Sequence, residues 1–172
     1  ARKQAETDKF VFANAIEQSM DEIYLFDAYT LKFKYANYGA LNNLGYSLAE
    51  MLTLTPVDIK KDYSREAFEA LIKPLRDKER VLLIFETFHY RVDGTKYPTE
   101  VHLQYIDDNC GKYFLAVIVD ITERCKDEQI LLKKETDLKL QNLEFLALND
   151  ELIESNSRIL SINEALLNAK EK

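Results

Sequence analysis

Residues 81–119 read VLLIFETFHY RVDGTKYPTE VHLQYIDDNC GKYFLAVIV, and the fold turns on this stretch. Three β-rich runs, 81–92, 97–106 and 113–119, are separated by Asp93-Gly94 and by the turn at 107–111. Asp-Gly supplies the positive-φ residues that a tight hairpin demands, so three antiparallel strands are expected in succession. In the first, Leu83, Phe85, Thr87 and His89 alternate with Leu82, Ile84, Glu86, Phe88 and Tyr90. In the last, Phe114, Ala116 and Ile118 alternate with Tyr113, Leu115, Val117 and Val119. Both faces of this sheet are apolar and both need a cover. Short helices can cover one. The N-terminal helix or a second copy of the chain is expected on the other.

Upstream, residues 7–20 carry Phe10, Ala13 and Met20 between Glu6, Glu17 and Gln18, the pattern of an amphipathic helix. Glu22–Asp27 reads as a strand, 27–30 as a turn and 31–35 as a second strand. Asn37 is placed to cap a short helix that Gly45 stops. Ser47 with Glu50 forms a capping box, and Thr55-Pro56 opens another short helix. A helix over 64–78 presents Phe68, Leu71, Ile72 and Leu75 on one face. Strands and short helices followed by three antiparallel strands make an α+β layout around one sheet.

Beyond Asp120, Gly and Pro vanish and Leu, Glu, Lys, Asn and Ala dominate. Leu131, Leu138, Phe145, Leu152, Ile159 and Leu166 recur every seven residues. A parallel series, Leu132, Lys139, Leu146, Ile153, Leu160 and Leu167, is polar once. Sustained heptads predict a coiled coil, roughly 70 Å long at about 1.5 Å per residue. Such a helix exceeds what the globular part can cover, so a partner helix is required. Glu128, Glu135, Asn142, Asn149, Asn156 and Asn163 form a polar column between the apolar ones. It lies either in the seam, fixing register at a cost in stability, or on its rim. The expected organisation is an N-terminal helix over 1–20, a globular domain over 21–121 and an output helix over 122–172.

The 172 residues carry a formal charge of −7, with acidic groups spread along the chain. That excludes a basic nucleic-acid-binding face. The longest apolar run, 113–119, is too short to span a bilayer. Cys110 and Cys125 lack CxxC spacing and have two histidines for company, so no metal site is expected and free thiols in a cytoplasmic setting are. The chain begins at Ala1 rather than Met, the expectation for a fragment of something longer. No GxGxxG, P-loop, nucleophile signature or HExxH is present, so no enzyme is expected within it.

Over residues 10–124 the chain resembles the PAS family of sensory domains. The resemblance rests on Tyr35-Ala36-Asn37, Gly45-Tyr46-Ser47-Leu48-Ala49-Glu50-Met51, Thr55-Pro56-Val57-Asp58-Ile59, the set Glu86, His89, Arg91, Asp93-Gly94 and Tyr97-Pro98, and Asp120-Ile121-Thr122. It implies a five-stranded antiparallel sheet with helices over one face, a small internal pocket, and sensing rather than catalysis.

Family members bind haem, flavin, small acids or nothing. A flavin photosensor needs a cysteine where this chain has Leu54-Thr55-Pro56-Val57-Asp58-Ile59, and polar amides where it has His89, Thr99 and Ile118. The ligating His of the haem branch has no counterpart over 64–78. Both cofactors are therefore disfavoured. The candidate pocket is Phe85, Thr87, His89, Thr99, Val101, Phe114 and Ile118. Within it His89 either orients a ligand beside Thr87 and Thr99, or is a structural residue held by Glu86 or a backbone carbonyl. His102 should face the other side. The strand tyrosines, Tyr24 and Tyr97 among them, read as core packing.

Asp120, Ile121 and Thr122 form the expected signal-coupling junction, with Asp120 and Thr122 both accepting from N–H groups that open the output helix. The expected coiled-coil seam is Leu131, Leu138, Asn142, Phe145, Asn149, Leu152, Asn156, Ile159 and Leu166. Residues 146–172 resemble the connector before the phospho-accepting helix of sensor histidine kinases, although no His follows His102. The expected function is a cytoplasmic sensory and dimerisation module of a two-component signalling protein, a homodimer through the C-terminal helix and also the N-terminal one, with a possible small-molecule ligand. The alternatives are a ligand-free structural spacer and the PAS input of another output class, such as a cyclic-dinucleotide enzyme.

Overall fold

A computed structural model describes residues 2–170. The elements are α1 (Arg2–Glu17), β1 (Glu22–Asp27), β2 (Phe33–Ala36), α2 (Tyr38–Leu44), α3 (Leu48–Met51), α4 (Pro56–Ile59), α5 (Arg65–Arg76), β3 (Leu83–Tyr90), β4 (Lys96–Asp108), β5 (Gly111–Asp120) and α6 (Thr122–Lys170). The chain divides into two compact units, one through Cys125 and one from Lys126.

The five strands form one antiparallel sheet in the order β2-β1-β5-β4-β3. The expected α+β class, with a five-stranded sheet followed by a long helix, is what the chain adopts. Pairing β1 with β5 makes the first strand second in the sheet, setting Glu22 opposite Ile118. Tyr24, Phe26, Phe33, Val101, Leu103, Phe114 and Ile118 cover the inner face. Ala40, Leu44, Met51, Ile59, Phe68, Ile72 and Leu75 close over them from the helices.

The short helices form where their caps dictate. Asn37 Oδ1 accepts from the N–H of Ala40, and Gly45 ends α2 at φ +79°, a conformation glycine adopts without penalty. Ser47 and Glu50 close their capping box. Ser64 accepts from Ala67 N–H to open α5. At α4 the Thr55 N–H donates to Asp58 Oδ2 at 2.7 Å.

Several boundaries differ from the expected ones. The N-terminal helix ends at Glu17, so Ser19 and Met20 lie outside it. Leu31 is buried in the turn at φ +63°, and β2 starts at Phe33 rather than 31. There the Asp27 carboxylate caps the N–H groups of Tyr29 and Thr30 and prolongs the turn. The strand expected from 81 begins at Leu83, because residues 81 and 82 lack β4 partners.

On the outer face, α1 covers only part of the sheet. A hollow of about 490 Å³ lies among Phe10, Ala13, Ile16, Leu25, Tyr35 and Leu115. Phe10, Phe12 and Ile16 remain exposed.

Candidate functional site

The hairpin register brings the predicted pocket residues together. Phe85 opposes Val101, Thr87 opposes Thr99, and Val101 opposes Ile118. All seven share the inner face, but His89, Thr99, Val101, Phe114 and Ile118 are completely buried among neighbours. Phe114 stacks on Phe26 with ring centroids 5.2 Å apart, and Phe85 meets the edge of Tyr63. Thr99 is satisfied within the hairpin, its hydroxyl donating to the Thr87 carbonyl at 3.1 Å. The positions corresponding to flavin contacts, His89, Thr99 and Ile118, carry no side-chain amide.

The chemistry of the inner face gathers around Glu22, which is buried at 2% exposure. The hydroxyls of Tyr24 and Tyr97 donate to its carboxylate. Asn43 Nδ2 donates at 2.6 Å. Arg91 braces this corner, donating to the Asn43 carbonyl at 2.9 Å and lying over the Tyr97 ring at 4.1 Å. His89 faces Glu22 rather than Glu86. Its Nδ1 lies 3.4 Å from Glu22 Oε2, longer than a formed bond, so neither ring nitrogen has a well-made hydrogen bond among the described residues. Lys60, just after α4, is buried at 3% exposure.

Burial sets the protonation of this cluster. It lowers Lys60 to about 7 against the opposing pull of Glu22. Burial, with Lys60 nearby, lowers His89 to about 4, leaving the imidazole neutral at pH 7. Burial alone would raise the Glu22 carboxyl. Its contacts with His89, Tyr24 and Tyr97 outweigh that and hold it below the usual carboxylate range. Burial and the Glu22 charge push the Tyr24 and Tyr97 phenols well up.

Sequence reasoning read Tyr24 and Tyr97 as packing and passed over Lys60 and the role of Glu22. One signal was available: Glu22 shares the inward stripe of β1 with Tyr24 and Phe26, a place where a carboxylate demands partners.

The exit junction is well ordered by local bonds. Asp120 Oδ1 accepts from Thr122 N–H at 2.8 Å. The Thr122 hydroxyl donates to that same oxygen instead of accepting from the helix, because Thr122 is already the first helical residue. Ile121 is buried, and its N–H donates to the Pro98 carbonyl. One turn on, Arg124 reaches Glu100 at 2.9 Å and also Glu86. His102 lies on the outer face as expected, with Nε2 2.8 Å from Glu100 Oε1. In α6 the series Leu131, Leu138, Phe145, Leu152, Ile159 and Leu166 is 52–67% exposed in the single chain.

No helix among the described residues is long and apolar enough to cross a membrane. None of them form a cluster of three or more His, Cys, Asp or Glu able to hold a metal ion.

The chain thus joins a five-stranded antiparallel sheet, short helices over one face and a capped exit into a long helix. The PAS domain profile matches residues 21–123, and the chain belongs to the PAS domain family. No curated protein matches the sequence. Among solved structures, the PAS domain of an HTR-like protein from Haloarcula marismortui is similar, with 24% identity and a TM-score of 0.60 over 67% of this chain and 99% of that one. A PAS domain from a two-component sensor histidine kinase is 17% identical with a TM-score of 0.56, over 67% and 98%. An RNA-binding light-oxygen-voltage receptor is 19% identical with a TM-score of 0.61, over 74% of this chain and 37% of that one. These likenesses concern the fold.

Proposed function

We propose that the chain is the sensory and dimerisation part of a signalling protein of the sensor histidine kinase kind, passing its signal through a parallel coiled coil formed by α6. The observation that carries this reading is the exposed heptad series on a 49-residue helix. Each of those side chains gains about 1.5–3 kcal/mol when covered, and a second copy offers the matching stripe. Similarity to a PAS domain of a sensor histidine kinase supports the choice of output class. A signal shifts the pair only by favouring one of two arrangements of the helices. Asp120, Ile121 and Thr122 are the residues we assign to that coupling. Sedimentation equilibrium at tens of micromolar should give twice the mass of one chain. A single-chain mass at that concentration refutes the proposal.

The packed inner face supports a second reading, in which no small molecule occupies the candidate pocket and the stimulus reaches the domain by another route. A thermal-shift screen of small acids and nucleotides separates the two. Stabilisation that is lost on Thr99→Val favours the ligand, and its absence favours the packed core.

A further inference from the structure

Arg124 lies in the first turn of α6, within the same compact unit as the sheet. A helix tolerates a cation least at that end, where unpaired N–H groups already carry positive charge. Close by on the outer face, Glu86 of β3 and Glu100 of β4 are register partners, two like charges set directly opposite each other. Each feature is unfavourable alone, and the two offset one another. Arg124 Nη1 donates to Glu100 Oε2 at 2.9 Å, and its Nη2 donates to Glu86. His102 Nε2 lies 2.8 Å from the other Glu100 oxygen, so that carboxylate is fixed from both sides. Arg124 and then His102 hold the Glu100 carboxyl below the usual carboxylate range.

We propose that Arg124 is a further coupling residue, a strap that fastens the first turn of α6 to the β3–β4 hairpin and carries movement of that hairpin into the helix. The inference rests on the sensory reading above, to which it adds a route beside the cap at Asp120 and Thr122.

The strap is placed to feel the inner face. The rung next to Glu86 and Glu100 is Thr87 with Thr99, two residues of the candidate pocket joined by the bond from the Thr99 hydroxyl to the Thr87 carbonyl. A guanidinium reaches both carboxylates with a planar fork of donors, so its grip depends on how the two strands are spaced. The cap bond at Asp120 is local, and the Ile121 N–H reaches Pro98 of β4. Arg124 adds β3 to these ties. A hollow of about 180 Å³ remains among Glu86, Thr87, Phe88, Pro98, Ile121 and Cys125, which leaves the first turn room to shift against the hairpin. The effect is reciprocal: releasing Arg124 leaves two carboxylates facing each other and loosens their rung.

The Cys125 N–H donates to the Ile121 carbonyl at 2.9 Å and closes the first turn, so its hydrogen exchange reports whether that turn is held. In the full chain, followed by NMR, Arg124→Gln should speed Cys125 exchange by roughly three- to tenfold, the size that two partly exposed ion pairs allow. It should also move the amide signals of Thr87 and Thr99. Glu86→Gln with Glu100→Gln should speed Cys125 exchange similarly, and all three substitutions together no more than either set. An arginine without this role predicts the opposite sign, because removing a cation from a helix N-terminus steadies the turn. Unchanged or slower Cys125 exchange in Arg124→Gln overturns the proposal. So do unmoved Thr87 and Thr99 signals, or effects of the two sets that simply add. Should a variant fail to fold, the unaltered chain decides through salt, since raising NaCl from about 0.05 to about 1 M screens exposed charges. Faster Cys125 exchange in high salt supports the strap, and unchanged or slower exchange refutes it. The test concerns one protomer. A single-chain mass in sedimentation would remove the coiled coil and leave the strap standing, whereas additive effects in a dimeric chain would do the reverse.

Discussion

Asn37 is fully buried, and its whole side chain is engaged with backbone. Its Oδ1 accepts from the N–H groups of Ile23 and Ala40, at 2.9 and 3.1 Å. Its Nδ2 donates to the carbonyls of Ile16, Ser19 and Asp21. One side chain thus ties the end of α1, the start of β1 and the first turn of α2. Asn37→Ala should lose about 2–4 kcal/mol in urea denaturation, the sum of a lost cap and buried polar groups left without partners. The cap was legible, since an Asn before a short apolar run is a local signal. The tie to α1 was not, because its acceptors lie 16–21 residues away. The core cluster was hidden for the same reason. Lys60 reads in sequence as part of a solvated Lys-Lys-Asp run, and nothing local says that the turn after α4 directs it inward. His89 was singled out, yet Glu22, 3.4 Å from its ring, comes from the first strand and meets it only once β1 pairs with β5.

Among elements, strands and helices were read with errors of a few residues, since alternation and caps are properties of neighbouring residues. What neighbours cannot encode is strand order: the insertion of β5 between β1 and β4 rests on long-range pairing. At the start of α6, Asp120→Ala removes the acceptor for the first helical N–H and should cost about 0.5–2 kcal/mol, measured by thermal unfolding of the globular half. Along α6 the polar column makes its own prediction. If Asn149 and Asn156 lie in the seam, converting both to Leu should raise stability by roughly 1–3 kcal/mol per site and relax the choice of oligomer. An unchanged melting curve and association state would put the column on the rim.

At the scale of the molecule, the exposed heptad series of α6 bears on association. If α6 pairs, the melting temperature of that half should rise with protein concentration, by mass action on the dimer. In such a pair, Leu152→Glu would put a charge in the seam opposite its own copy. It should turn the dimer into monomers in sedimentation while leaving the unfolding of the globular half unchanged. A dimer that survives this substitution uses another surface, for which the partly covered outer face beneath α1 is the next candidate.

The long helix has neither glycine nor proline along its 49 residues. It is geared. Seven residues added or removed leave any group fixed to it pointing within about 20° of its former direction. Two added residues swing the group through about 200°, at 3.6 residues per turn. Seven residues spliced into this helix should therefore preserve the direction its stripe faces, whereas two should turn it to nearly the opposite side.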